Sequence, residues 1–252
     1  MDVTSEHEVE QVVNEISQTG IPLWAVVNNA GIAIGCPFDW GKDIEPCRRT
    51  FEVNVFGVVR VSKNCIPLLR KSKGRIVNVA SVAGRITVPL MAYYCMSKHS
   101  VRVFSDVIRR GLYHDHIKVV TIEPTFYRTP IINWDHIKNT RDKIYEETPE
   151  QIKEAYPESM IDIIDNSGKS VDLITRENVN EVVETLENAV TLVEPKLFYR
   201  CGAYSDIIIW ISGLFPEAIL DGLINTLCLN SKIVQFAKFY ATMFKHSKSK
   251  TI

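Results

Sequence analysis

The sequence predicts an α/β protein built on a parallel sheet with helices on both faces. Short, nearly uninterrupted apolar runs rich in valine and isoleucine recur along the chain, and amphipathic helical segments separate them. Strands of that kind are buried on both faces, which is the condition met inside a parallel sheet. No internal repeat or low-complexity linker divides the 252 residues, so one domain is the simplest organisation.

Glu6 to Gln18 reads as a helix, with Val9, Val12, Val13 and Ile16 on one face and Gly20 as its stop. Leu23 to Val27 is a short buried strand that runs into Asn28-Asn29-Ala30-Gly31. Pro46 to Lys71 forms a long helix whose stripe is Phe51, Val55, Val58 and Ser62; Gly74 breaks it before the strand Arg75 to Val79. Ala92 to Tyr113 is helical and precedes the strand Ile117 to Ile122. Thr125 to about Lys169 reads as irregular, with a helix near Pro149 to Tyr156. A helix from Glu177 to Leu192 and a strand from Lys196 to Arg200 follow. Residues 1–204 make the main body and 205–252 an apolar helical extension of the same domain.

Composition excludes more than it selects. A formal net charge of −1 leaves no global field to recruit nucleic acid. The cysteines at 36, 47, 65, 95, 201 and 228 include no C-x-x-C pair, so they read as reduced, mostly buried thiols with no metal knuckle. The polar start Met1 to Glu6 has no signal-peptide pattern. Ile207 to Leu229 is the most apolar stretch, but Glu217 and Asp221 interrupt it, and its uncharged run falls short of the ~20 residues that span a bilayer.

Chemistry concentrates around Tyr94-Cys95-Met96-Ser97-Lys98. A tyrosine and a lysine four apart on a helix share a face, one turn apart. A phenol near pKa ~10 is a poor acid or base at neutral pH, and a neighbouring ammonium favours its ionised form. Y-x-x-x-K alone arises often by chance. Here it stands with Ser81, thirteen residues earlier at a strand end, with Asn54 in the preceding helix, and with the Asn28 to Gly31 turn.

These four elements, in this order and spacing, resemble the short-chain dehydrogenases/reductases. The resemblance covers nearly the whole chain and implies a Rossmann-like doubly wound sheet. It implies that Tyr94 is the acid/base at the carbonyl or alcohol oxygen. Lys98 would depress the phenol pKa and hydrogen-bond the nicotinamide ribose, Ser81 would bond the substrate oxygen, and Asn54 would hold a relay water. Asn29, Ala30 and Gly31 would lie beneath the adenine ribose, and Asp2-Val3 would contact the adenine. Pro124 and Thr129 would flank the nicotinamide, Thr129 bonding its carboxamide together with the Ile122 backbone. Thr125 stands where the family has glycine.

Asn78 to Arg85, Ile122-Glu123-Pro124 and Tyr199 to Ala203 resemble the microsomal retinol and hydroxysteroid dehydrogenases. That subgroup implies an apolar alcohol or ketone as substrate, NAD in preference to NADP, and association with the endoplasmic reticulum membrane. It also implies a lid from Thr125 to Lys169, in which Trp134 and Tyr145 serve either as lid contacts or simply as loop packing. The C-terminal region, with Ile233, Phe236, Ala237, Tyr240 and Phe244 backed by lysines, could meet a membrane surface or pack in a homodimer.

The family's T-G-x-x-x-G-x-G motif is absent from the sequence. Its first two strands and first helix are therefore expected to be missing, leaving Leu23 to Val27 as a sheet edge and the pyrophosphate without its glycine turn. Weak dinucleotide binding by these residues alone is the expectation, and micromolar NAD(H) binding in a calorimetric titration would overturn it. Two other readings stand beside the enzyme: an inactive truncated isoform acting by association, and an incomplete gene model.

Overall fold

A computed structural model of the chain describes residues 1–157, 159–202 and 205–229. Among them, four parallel strands lie side by side in chain order: β1 (Ala25–Asn28), β2 (Arg75–Val79), β3 (Lys118–Pro124) and β4 (Phe198–Cys201). The register pairs Asn28 with Asn78 and Val79 with Ile122, so the carboxyl ends of β1, β2 and β3 open on one side.

Alternation along the strands feeds two cores. Ile76 and Val119 point to one face, where they pack on Val9 of α1 (Glu6–Gln18) and on Val61, Cys65 and Leu69 of α3 (Gly57–Ser72). Val77, Val120 and Ile122 meet Ala189 of α8 (Asn180–Thr191) on the other. Each such side chain contributes roughly 1.5–3 kcal/mol on burial. β1 is less well covered, and Val27 is 43% exposed on the outer strand of the sheet.

The helices at Glu6–Gln18 and Ala92–Gly111 (α4) and the strand at Arg75–Val79 lie where the sequence places them. Ser5 caps α1 by accepting from the Glu8 amide at 3.2 Å. The helix expected from Pro46 to Lys71 is interrupted. It runs as α2 (Glu45–Phe51), a wide π-helical turn over Glu52–Phe56, and α3. Such turns concentrate at functional sites.

The expected irregular segment is largely helical, with α5 (Trp134–Glu146), α6 (Glu150–Lys153) and α7 (Met160–Ile174). Its core is aromatic. The Trp40 ring lies 4.7 Å from that of Tyr145 and 5.8 Å, edge-on, from that of Tyr156. Tyr156 donates to Asp39 at 2.5 Å, and the Gly41 amide donates to Thr148 at 2.7 Å. The segment is thus fastened to the loop that follows β1.

Two helices, α9 (Ser205–Ser212) and α10 (Glu217–Leu229), follow β4. Ile207, Trp210, Leu214, Phe215, Ile219 and Leu223 are exposed along them. No helix among the described residues is long and apolar enough to cross a membrane. The stripe from Ile233 to Phe244 and the lysines beyond it lie outside the described residues.

Candidate active site

The carboxyl ends of β2 and β3 meet the first turns of α4, and this junction brings Ser81, Tyr94 and Lys98 together. Ser81 leaves β2 in an extended conformation and caps the short turn Val82–Gly84, its Oγ accepting from the Ala83 amide at 3.1 Å. The same hydroxyl donates to the Pro124 carbonyl at 3.5 Å and faces the Tyr94 phenol, which it favours in its ionised form. Lys98 is buried one turn after Tyr94, with Nζ donating to the Val79 carbonyl at 2.9 Å.

The electrostatics differ from the sequence expectation. Burial pushes the Tyr94 phenol up to about 12, and the Ser81 hydrogen bond offsets only part of that shift. Lys98 does not lower it here. Its ammonium sits 5.7 Å from the Tyr94 ring centroid, is held by a backbone carbonyl, and is itself brought down to about 8 by burial. Desolvation of two groups that are both costly to charge outweighs their mutual attraction. At neutral pH the tyrosine therefore keeps its proton.

Asn54 sits fully buried inside the π-helical turn. Its Nδ2 donates to the Ile32 carbonyl and to Ser97 Oγ, each at 2.9 Å, and its Oδ1 accepts from the Ile32 amide at 2.8 Å. Both amide hydrogens are engaged, so the side chain clamps the Ile32 backbone to Ser97. Ser97 extends the clamp by donating to the Tyr94 carbonyl at 2.7 Å. Gly31 lies against the same group: a Cβ there would stand 3.4 Å from Asn54 Oδ1 and 3.5 Å from Lys98 Nζ.

Sequence reasoning missed Ser97, and it missed a second polar chain below the site. Asn28 Nδ2 donates to Asn78 Oδ1 at 2.7 Å and to Ser62 Oγ at 3.0 Å, and Asn78 Nδ2 donates to Ser105 Oγ at 2.8 Å. The signal was present as asparagines at or next to the ends of two successive strands, in register with each other.

The remaining expected contacts scatter along the sheet ends. Val3, Asn29 and Ala30 line one cavity of about 130 Å3 beside α3. Asp2 is not in that lining. Its Oδ1 accepts from the Thr4 amide and hydroxyl, both at 2.9 Å, and these bonds hold its carboxyl below the usual range. Arg60 fixes the segment by donating to the Val3 carbonyl at 2.6 Å. Pro124 ends β3, whereas Thr129 turns its hydroxyl to the Tyr127 carbonyl at 3.3 Å, within its own loop. The Ile122 carbonyl accepts from the Ala80 amide at 2.8 Å. Thr125 rests on Gly202, where φ is +114° and a Cβ would stand 2.0 Å from Thr125 Oγ1.

Comparison with known proteins identifies the family. The model of the short chain dehydrogenase family matches residues 1–138. The chain is 38% identical to 17-beta-hydroxysteroid dehydrogenase type 6 from Bos taurus, over 79% of this chain and 62% of the relative. It is 30% identical to short-chain dehydrogenase/reductase family 9C member 7 from Bos taurus, over 89% and 72%. Retinol dehydrogenase 7 from Mus musculus is 28% identical, over 89% and 71%. Against the bovine and human type 6 enzymes, the chain spans 62% and 56% of the relative's length. A solved short chain dehydrogenase from Burkholderia cenocepacia, in complex with NADP, superposes with a TM-score of 0.64 at 20% identity, covering 89% of this chain and 76% of that one.

Proposed function

Since this chain belongs to the short-chain dehydrogenase family, we propose that it is an NAD(P)-dependent oxidoreductase. It acts on the CH–OH/C=O group of an apolar substrate such as a retinoid or hydroxysteroid. The observation that carries the reading is the convergence of Ser81, Pro124 and Tyr94 beside a buried Lys98 at the carboxyl ends of β2 and β3. When bound, the nicotinamide supplies or takes up the hydride. Tyr94 gives its phenolic proton to the carbonyl oxygen on reduction and recovers it on oxidation. Ser81 hydrogen-bonds that oxygen as negative charge develops on it. Asn54 and Ser97 hold the Tyr94 turn against the Asn28 to Gly31 loop, and Lys98 supplies the cation beside the phenol.

The residues fit a dinucleotide in part. Val3, Asn29 and Ala30 frame a cavity, and Gly31 leaves room beside Lys98. In this reading Asp2, Val3, Asn29, Ala30 and Gly31 hold the adenosine end. Tyr94 and Lys98 bond the ribose, and Pro124 and Thr129 border the nicotinamide. The subgroup resemblance favours NAD, whereas the Burkholderia cenocepacia neighbour was solved with NADP. An apolar substrate suits the names of the relatives and the aromatic core around Trp40. The association-only reading gains no support from the comparisons.

Turnover measured at saturating dinucleotide, over a panel of steroid and retinoid alcohols and ketones, tests the reaction. Tyr94→Phe should lower the rate by roughly 10²–10⁴-fold, the usual worth of a general acid/base. Turnover unchanged by that substitution would refute the assignment. The extension 205–252, whose exposed apolar residues include Trp210, is proposed to rest on the endoplasmic reticulum membrane surface. A chain ending near Tyr204 should then fail to float with liposomes that carry the full chain; equal flotation would remove the proposal.

A further inference from the structure

The carboxylate of Glu123 takes no part in the proton path, yet it is fully buried at the catalytic end of β3. Oε1 accepts from both Nε and Nη2 of Arg85, at 2.9 and 2.7 Å. Oε2 accepts from Arg200 Nε at 3.3 Å, and Arg200 Nη1 reaches Asp206, in the first turn of α9, at 2.6 Å. Both guanidinium groups also lie over the Phe198 ring, at 5.3 and 4.9 Å from its centroid. The cluster pairs two cations with two anions, which is what allows a carboxylate to sit dry at this depth.

Its position matters more than its stability. Arg85 closes the short turn that Ser81 opens, its amide donating to the Val82 carbonyl at 2.9 Å. Glu123 immediately precedes Pro124, whose carbonyl lies 3.5 Å from Ser81 Oγ. Ser81, its turn, Arg85, Glu123 and Pro124 thus form a closed ring. The Ser81 hydroxyl is bounded within that ring by the Ala83 amide on one side and the Pro124 carbonyl on the other.

We propose that Glu123 is a positioning residue for Ser81, fixing the hydroxyl against Tyr94 and linking that placement, through Arg200 and Asp206, to the C-terminal helices. The proposal rests on the reading of Ser81 and Tyr94 as the reacting pair. Both Glu123 oxygens are taken by arginines, so the carboxylate acts through the Ser81 turn. The fork from Arg85 makes the geometry specific, because an ammonium in its place could not hold Oε1 from two directions.

The test uses the full chain labelled with ¹³C at the tyrosine Cζ atoms, with the Tyr94 resonance assigned by Tyr94→Phe. Its chemical shift at neutral pH reports the hydrogen bond at the phenol and needs no turnover. Ser81→Ala should move this resonance, and Glu123→Gln and Arg85→Lys should move it the same way. Asp165→Asn, which breaks the Arg141 ion pair in the segment over the site, should leave it in place. Arg85→Lys keeps the charge and serves if Glu123→Gln does not fold. With turnover in hand, both variants should lower kcat by roughly tenfold at nearly constant KM, less than the ~100-fold of deleting an oxyanion donor outright. A Tyr94 resonance that ignores Arg85→Lys and Glu123→Gln while following Ser81→Ala would overturn the proposal, as would one that Ser81→Ala does not move. Absence of turnover in the unsubstituted chain would refute the reaction and leave the resonance test standing.

Discussion

Two polar networks, one buried throughout and one buried at its centre, occupy the carboxyl ends of the strands, and they are built on opposite principles. Between β1 and β2 the Ser62, Asn28, Asn78 and Ser105 chain is neutral, each amide or hydroxyl answering the next at 2.7–3.0 Å. Between β3 and β4 the Arg85, Glu123, Arg200 and Asp206 cluster is ionic. The neutral chain loses little when one member goes, because its neighbours keep other partners. The ionic one leaves an uncompensated charge. Lys98 is a third case, a buried cation held by a neutral carbonyl. The sheet is thus joined by neutral hydrogen bonds between β1 and β2 and by ion pairs between β3 and β4.

Removing the hub should have the largest effect. Glu123→Ala should cost about 3–5 kcal/mol in urea unfolding, the usual result of breaking a buried pair from one side; a loss under about 1 kcal/mol would mean that water already reaches the cluster. Lys98→Met should act in the other direction. The unfolded chain holds that proton up to the ordinary 10.5, whereas the folded chain releases it near 8. Between those values the unfolded state binds more protons, so stability rises with pH, and below them the buried ammonium is a constant cost. After allowance for the lost hydrogen bond, Lys98→Met should be more stable than the parent by about 2 kcal/mol at pH 7. The gap should close by pH 10, and paired denaturation curves at the two pH values decide it. The smallest effect belongs to the neutral chain: Asn78→Ala should cost about 1–2 kcal/mol, independent of pH from 6 to 9. A pH-dependent loss there would erase the distinction between the two networks.

What could be read in the sequence divides along the same lines. Side-chain periodicity located Glu6–Gln18, Arg75–Val79 and the Tyr94 and Lys98 pair, because each depends on spacing along one element. The wide turn at Glu52–Phe56 was invisible, since a slipped backbone hydrogen bond leaves the apolar stripe almost intact. Asn54 and Lys98 were visible as residues but not as contacts: their partners are the backbone of Ile32 and the carbonyl of Val79, which any residue would supply. Glu123 meets Arg85 and Arg200 across 38 and 77 residues, and no local pattern announces such a meeting. The helix at Trp134–Glu146 was hidden by its polarity, although Asn133 does cap it by accepting from His136.

The seam around Trp40 has a consequence for how this protein can change. Residues of the loop after β1 and of the helices from Trp134 to Ile174 share one aromatic core, so they form a single inheritable unit although some ninety positions separate them in the sequence. A recombinant that imports the later helices from a relative while keeping the Cys36 to Gly41 loop would set Trp40 against foreign partners. Variation in what the site accepts should therefore arise by paired replacement of both segments, and libraries that shuffle one without the other should yield mostly misfolded chains.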